Sequence, residues 1–237
     1  MNNKIFSKEK CLAIIPARGG SKRIPRKNIK LFLGKPIIQY SIEAAFSTNL
    51  FNEIMVSTND IQIAEISKSL GANVPFMRSK ENSNDYVGTS EVVFEVLREY
   101  QNRNILFDYC CCIYPTAPLI KVKNIFTGFN LLKEKKYDSF FPVVRYSHPI
   151  QRSYQIVNDK LVMNKKENLT KRTQDLTPNF HDAGQFYWVK VNKFLGNNKK
   201  IFTNNTGTIE LSELEVQDID NEDDWKIAEM KYELIKK

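Results

Sequence analysis

Short apolar runs alternate along this chain with segments of helical period, and that alternation leaves few folds open. Cys11–Pro16 (CLAIIP), Glu53–Ser57 (EIMVS) and Tyr109–Tyr114 (YCCCIY) are too short for helices and largely apolar, as strands of a buried parallel sheet are. Between them, Pro36–Ser47, Asp60–Leu70, Thr89–Tyr100 and Val122–Lys133 carry the spacing of amphipathic helices. Pro36 sits where a first helical turn tolerates proline, Asp60 supplies an N-cap and Gly71 a stop. With a further strand at Ser139–Val144, this order predicts a three-layer α/β fold. Its sheet is twisted and mostly parallel, with right-handed crossovers. A chain of 237 residues, 42% of them hydrophobic, can bury that core as a single domain over 1–237.

The pattern changes between 145 and 180, where Ser153–Met163 alternates around Asn158 and Asp159 as a hairpin would. This excursion is expected to be a dimerisation arm or a plain surface hairpin. Core elements return at Gly184–Val189, and a last helix is expected over Glu222–Ile235. No stretch approaches the roughly 20 apolar residues of a membrane span, and MNNKIFSKEK at the start has no signal-peptide core. A cytoplasmic protein without a membrane partner is therefore expected.

Ligands of such sheets gather beyond the carboxyl ends of the strands. The Ala17–Asn28 loop (ARGGSKRIPRKN), the Thr58–Asp60 turn and Tyr114–Pro118 all open on that rim. Lys and Arg outnumber Asp and Glu by 35 to 27, a formal charge of +8, which admits nucleic acid, an anionic membrane face or a polyanionic small molecule. The basic and aromatic residues are not interleaved as on a single-strand binding face. The cations concentrate instead around Gly19 and Gly20, where exposed N–H groups can cradle phosphate. Arg18, Lys22 and Lys27 suit a triphosphate. A solvated basic loop is the plainer alternative, which the position directly after the first strand disfavours. The loop is neither a Walker A sequence nor a G-x-G-x-x-G turn.

Before the last helix, Asp218 and Asp220 project to one side of an extended segment while Ile219 faces away. Alone, such a pair more often caps the helix. Beside a phosphate loop it suits Mg²⁺, which one or two carboxylates hold together with substrate phosphates. Asp223 and Asp224 are left to the first helical turn. Cys110, Cys111 and Cys112 are consecutive, so they cannot converge on one metal from a strand and read as core filling. His148 reads as structural, and Phe186–Trp188 as core.

Together these segments resemble the acylneuraminate cytidylyltransferases, the CMP-sugar synthetases. Arg18, Ser21, Lys22, Lys27 and Asn28 match the family's first motif, and Asp218 and Asp220 its metal aspartates. Matches continue through Val56–Thr58, Arg78, Thr89 and Pro115–Pro118, so the resemblance covers nearly the whole chain. Cys112–Pro118, Phe141–Arg145, Pro149–Arg152, Arg172–Leu176, His181–Trp188 and Glu215–Asp218 are most similar to the branch acting on pseudaminic acid, a nine-carbon acidic sugar. Tyr114 stands where the sialic acid branch usually carries glutamine.

The resemblance implies a Rossmann-like nucleotidyltransferase core, CTP as donor, Mg²⁺ as cofactor, and homodimers exchanging the hairpin. It also implies a bacterial source that builds such sugars into surface glycans. Catalysis would fall to Arg18, Lys27, Asp218 and Asp220. Ala17, Arg18, Ser21, Lys22, Lys27, Asn28, Arg78, Gly88 and Thr89 would bind CTP. Tyr114, Gln151, Arg172, Gln174, His181, Asp182 and Gln185 would bind the sugar, with Arg172 placed on its carboxylate. His181 could equally be a histidine satisfied by a backbone carbonyl. N-acetylneuraminate, legionaminate or a 3-deoxy-octulosonate are the alternative acceptors, and a non-catalytic nucleic-acid binder is the remote one.

Overall fold

The computed structural model describes residues 9–236; most of the amino-terminal stretch read above for targeting lies outside them. The strands are β1 (Cys11–Pro16), β2 (Leu31–Phe32), β3 (Lys35–Pro36), β4 (Glu53–Ser57), β5 (Tyr109–Ile113), β6 (Ser139–Phe140) and β7 (Val143–Arg145). They continue with β8 (Tyr154–Val157), β9 (Lys160–Met163), β10 (Phe180–Asp182), β11 (Phe186–Lys190), β12 (Thr206–Gly207) and β13 (Glu210–Leu211). The helices are α1 (Ile37–Ser47), α2 (Ile61–Ser69), α3 (Thr89–Asn102), α4 (Val122–Glu134), α5 (Val191–Gly196) and α6 (Glu222–Lys236). Among the described residues no helix is long and apolar enough to cross a membrane.

The central sheet has the order β12–β6–β11–β5–β1–β4. β1 pairs in parallel with β4 and β5, and β12 with β6, while β11 runs against both its neighbours. Alternation along β1 builds the three layers. Ala13 and Ile15 meet Ile38 and Ile42 of α1 and Ile125 and Phe129 of α4. Leu12 and Ile14 meet Val93, Val96 and Leu97 of α3 on the other face. The cysteine run divides the same way, Cys111 to the first face and Cys110 and Cys112 to the second, all free and buried.

A third apolar cluster positions the site. Ile24, from the basic loop, packs with Phe32, Tyr40, Trp225, Ala228 and Ile219, the residue between the two aspartates. Phe32 sits edge-on to Tyr40 at 5.4 Å and to Trp225 at 5.6 Å. Burying Ile219 therefore brings the carboxyl-terminal acidic segment onto the amino-terminal cationic loop.

Two expectations change. The strand expected at Ser139–Val144 is two: Pro142 has no N–H for a ladder, so the chain leaves the main sheet after Phe140. It re-pairs through β7 in a separate sheet of order β10–β7–β13. Pro36 is the N-cap residue of α1, with ψ near 130°, rather than its first helical residue. The β8–β9 hairpin forms as expected, with Asn158 and Asp159 both left-handed at φ 50° and 59°. It buries little, leaving Ile156 at 78% and Leu161 at 69% exposure.

Candidate active site

The loop after β1 is held by its own polar groups. The Gly19 N–H donates to Asn59 Oδ1 at 3.0 Å, and the buried Asn28 donates from Nδ2 to the Arg18 carbonyl at 2.8 Å. A Cβ at Gly19 would stand 2.7 Å from Asp60 Oδ2, so only glycine fits there. Asp60 cannot yield, because Arg26 grips it with two hydrogen bonds, at 2.6 and 3.0 Å, and it accepts from the Ile63 N–H as the cap of α2.

This frame surrounds a cavity of about 230 Å³ lined by Arg18, Ser21, Lys22, Lys27, Asn28, Arg78, Gly88 and Thr89. Ala17 is fully buried behind them. Arg78 is anchored to Ser57 through its Oγ at 3.0 Å and its carbonyl at 2.5 Å, and burial pushes its pKa down to about 10. Arg18 and Lys22 both reach Asp85, at 2.5 and 2.6 Å, so one carboxylate draws two of the cavity's cations together.

Opposite stands the acidic segment. Lys27 Nζ donates to the Ile219 carbonyl at 2.7 Å, across 192 residues of chain, and Arg23 pairs with Asp220 at 2.7 Å. Desolvation lowers the Lys27 pKa, opposed by the charges of Asp220 and Asp218. Desolvation raises that of Asp218, helped by Asp220 and opposed by Lys27. Asp224 accepts from the Asp220 and Asn221 N–H groups, and Asn221 Oδ1 from those of Asp223 and Asp224, so helix capping falls to these neighbours. Asp218 and Asp220 are thereby left free of the cap. Among the described residues no three acidic, histidine or cysteine side chains converge to hold a metal unaided. Two repelling carboxylates fit a hard cation that takes its other oxygens from phosphates and water.

A second cavity, of about 450 Å³, opens on the other side of Tyr114, which lines both. Its wall includes His181, Asp182, Tyr187, Gln217, Asp218 and Lys231. The Tyr114 hydroxyl lies 2.7 Å from Thr89 Oγ1, linking the two cavities. His181 Nδ1 sits 2.9 Å from the Asp182 carbonyl, and its ring lies against Tyr146. Gln185 lies behind the wall, donating from Nε2 to the Glu215 carbonyl at 2.6 Å. The other expected sugar contacts stand apart within this chain. Gln151 donates to the Thr177 carbonyl, Gln174 lines a separate cavity, and Arg172 is exposed and doubly bonded to Asp175 at 2.8 and 3.0 Å.

Residues 12–236 match the family model for cytidylyltransferases. The chain belongs to the cytidylyltransferase family. It is 38% identical over 95% of its length to a pseudaminic acid cytidylyltransferase of Campylobacter jejuni, covering 97% of that protein. It is 31% identical over 94% to a CMP-N,N′-diacetyllegionaminic acid synthase of Legionella pneumophila, covering 96% of it. Among solved structures, a CMP:2-keto-3-deoxy-manno-octonic acid synthetase complexed with CTP superposes with a TM-score of 0.70 over 96% of this chain and 99% of that one. At 16% identity, that likeness speaks for the fold.

In this cytidylyltransferase, sequence reasoning passed over Asp85, Arg23, Tyr187 and Lys231. Arg23 lies within the cationic loop and shares its signal. Asp85 lies in a polar loop, Tyr187 in an apolar strand and Lys231 on an ordinary helix, where no local pattern marks them. Asp60 gives a stability prediction. Its hydrogen bonds from Arg26 hold its pKa below the ordinary aspartate range. The unfolded chain therefore binds a proton first, and the stabilisation present above the ordinary aspartate pKa is lost as pH falls through the folded value. Asp60→Ala removes the cap of α2 and should cost about 1–2 kcal/mol near neutral pH. Denaturant titrations at pH 7 and pH 3 should show that this difference shrinks in acid.

Proposed function

We propose that this cytidylyltransferase transfers CMP from CTP to the anomeric C2 hydroxyl of pseudaminic acid and releases pyrophosphate. The observation that carries the reading is the Lys27 bond to Ile219, which joins the cationic loop to the aspartate pair where two cavities meet at Tyr114. CTP occupies the first cavity, with Arg18, Ser21 and Lys22 on the outer phosphates and Asn28, Arg78, Gly88 and Thr89 toward the nucleoside. Ala17 shapes that wall from behind. The acidic sugar occupies the second cavity, against Tyr114, His181 and Asp182, with Gln185 bracing the wall.

The sugar oxygen bonds to the α-phosphorus as the bond to the bridging oxygen breaks. Pyrophosphate departs with the electron pair, and the hydroxyl proton passes to water. Lys27 stabilises charge gathering on the α-phosphate and leaving group, and the loop holds the reactants in line. Asp218 and Asp220 are the residues to hold Mg²⁺, which when bound supplies charge neutralisation and orients the phosphates.

The protein acts in the cytoplasm, as a homodimer whose hairpin packs on a second copy. In that arrangement Gln151, Arg172 and Gln174 would approach the sugar from the excursion. The exposed Ile156 and Leu161 favour it. Incubating the protein with CTP, Mg²⁺ and each candidate acid, and measuring pyrophosphate, tests the reaction. Turnover should be greatest with pseudaminic acid. Equal or greater turnover with N-acetylneuraminate would sink the sugar assignment, and no pyrophosphate with any acid would sink the transfer.

A further inference from the structure

Lys231 lies on α6, three residues beyond the buried Ala228 that fixes this helix against Phe32 and Tyr40. An ammonium has three N–H donors. Here they meet the Glu213 carbonyl at 2.9 Å, the Val216 carbonyl at 2.7 Å and Gln217 Oε1 at 3.0 Å. Gln217 carries the contact onward, its Nε2 donating to the Asp218 carbonyl at 3.0 Å. Among the described residues no carboxylate forms an ion pair with Lys231; the cation is spent on backbone and amide oxygens. It stands in the wall of the larger cavity, the same wall that Asp218 joins. Enclosure there lowers its pKa from the ordinary lysine value.

We infer that Lys231 is a positioning residue for the transfer reaction, its ammonium fixing the 213–218 segment so that Asp218 faces the junction of the two cavities. The segment is also held at the buried Val216 and at Glu215, whose carbonyl accepts from Gln185 and whose carboxylate pairs with Lys121. Lys231 is the tie that reaches Gln217, next to Asp218. The segment's only regular structure before Asp218 is a short 3-10 turn over Glu213–Glu215, and Asp218 itself belongs to no strand or helix. Ile219 anchors one side of Asp218 in the core and Lys27 holds the Ile219 carbonyl. Lys231 secures the other side. A carboxylate between two fixed points keeps its direction without reorganising when a cation arrives, the role that outer partners play around metal ligands. The inference rests on the reading of Asp218 as a metal-holding residue.

The test compares Lys231→Met, Lys231→Arg, Gln217→Leu and Asp218→Asn with the wild type. Two readouts need no turnover: hydrogen exchange of the 213–220 amides in metal-free protein, and Mn²⁺ binding in the presence of a non-hydrolysable CTP analogue, followed by electron paramagnetic resonance. Lys231→Met should speed exchange across 213–220 and weaken Mn²⁺ about 10–100-fold. It should lower kcat by a similar factor while KM for CTP stays within about twofold, since the phosphate loop keeps its own frame. Lys231→Arg should recover part of both, because a cation returns in a less matched shape. Gln217→Leu, which removes the bridge to the Asp218 carbonyl and one of the three Lys231 acceptors, should give a smaller loss in the same direction. It also keeps the inference testable if Lys231→Met fails to fold.

Wild-type exchange and Mn²⁺ affinity in Lys231→Met, beside a defective Asp218→Asn, would overturn the role of Lys231 and leave the metal reading standing. So would a defect confined to KM for the acidic sugar, which would make Lys231 a substrate contact. Wild-type Mn²⁺ affinity in Asp218→Asn would overturn the metal reading itself.

Discussion

Asp220→Ala should lower kcat with Mg²⁺ about 10³-fold or more and leave the melting temperature within a few degrees of wild type. The separation of the two effects follows from where Asp220 spends its bonds. Its carboxylate pairs with Arg23, which is 67% exposed, and such a pair contributes little to folding. Helix capping is carried by Asn221 and Asp224, and burial by Ile219, so the substitution leaves α6 seated. What it removes is one of two carboxylates available to a divalent ion, and a 10³-fold loss corresponds to about 4 kcal/mol of transition-state stabilisation. Steady-state pyrophosphate release beside a thermal melt measures both. Turnover near wild type would refute the metal assignment, and a collapsed melt would move Asp220 from chemistry to structure.

Lys27→Met should be costly in both respects. Its ammonium is half of the bond that ties the amino-terminal loop to the Ile219 carbonyl, and it feels the charge of both aspartates. Methionine keeps the length of the side chain and removes the charge. In the proposed role, loss of this cation should lower kcat about 10²–10³-fold. Leaving the Ile219 carbonyl unpaired costs about 1–3 kcal/mol of stability. The two parts can be told apart by comparison with Asp220→Ala: a shared fall in kcat, with a lowered denaturant midpoint in Lys27→Met alone. An unchanged kcat would remove Lys27 from the reaction.

The elements legible in the sequence are those whose local pattern and burial agree. β1, β4 and β5 are continuous apolar runs, and the α2 boundaries are marked by Asp60 and Gly71, so pattern reading found them to within a residue or two. The split at Pro142 was written in the sequence as a missing N–H and passed over because the flanking residues are uniformly apolar. The loop and the aspartate pair were legible as separate chemistries. Their meeting was legible only through the family resemblance, because no local pattern shows Ile219 and Ile24, from opposite ends of the chain, joining one buried cluster. Lys231 was invisible for a related reason: on a helix, one lysine among solvated charges looks like any other until its three acceptors are placed. Arg172 shows the converse limit. Its residue type suits a carboxylate, but within one chain it sits on an exposed arm with Asp175 as its partner.

The cysteines of the sheet carry a practical consequence. All four are shut away from water, and burial raises the pKa of each thiol. In the folded molecule there is thus almost no thiolate within reach of an alkylating or oxidising reagent. Cys110, Cys111 and Cys112 share the strand lying between β1 and β11, so reagent gains access when the middle of the molecule parts rather than when its rim loosens. The rate at which these sulfurs are captured becomes a native clock for the deepest opening of the protein, one that needs no engineered label.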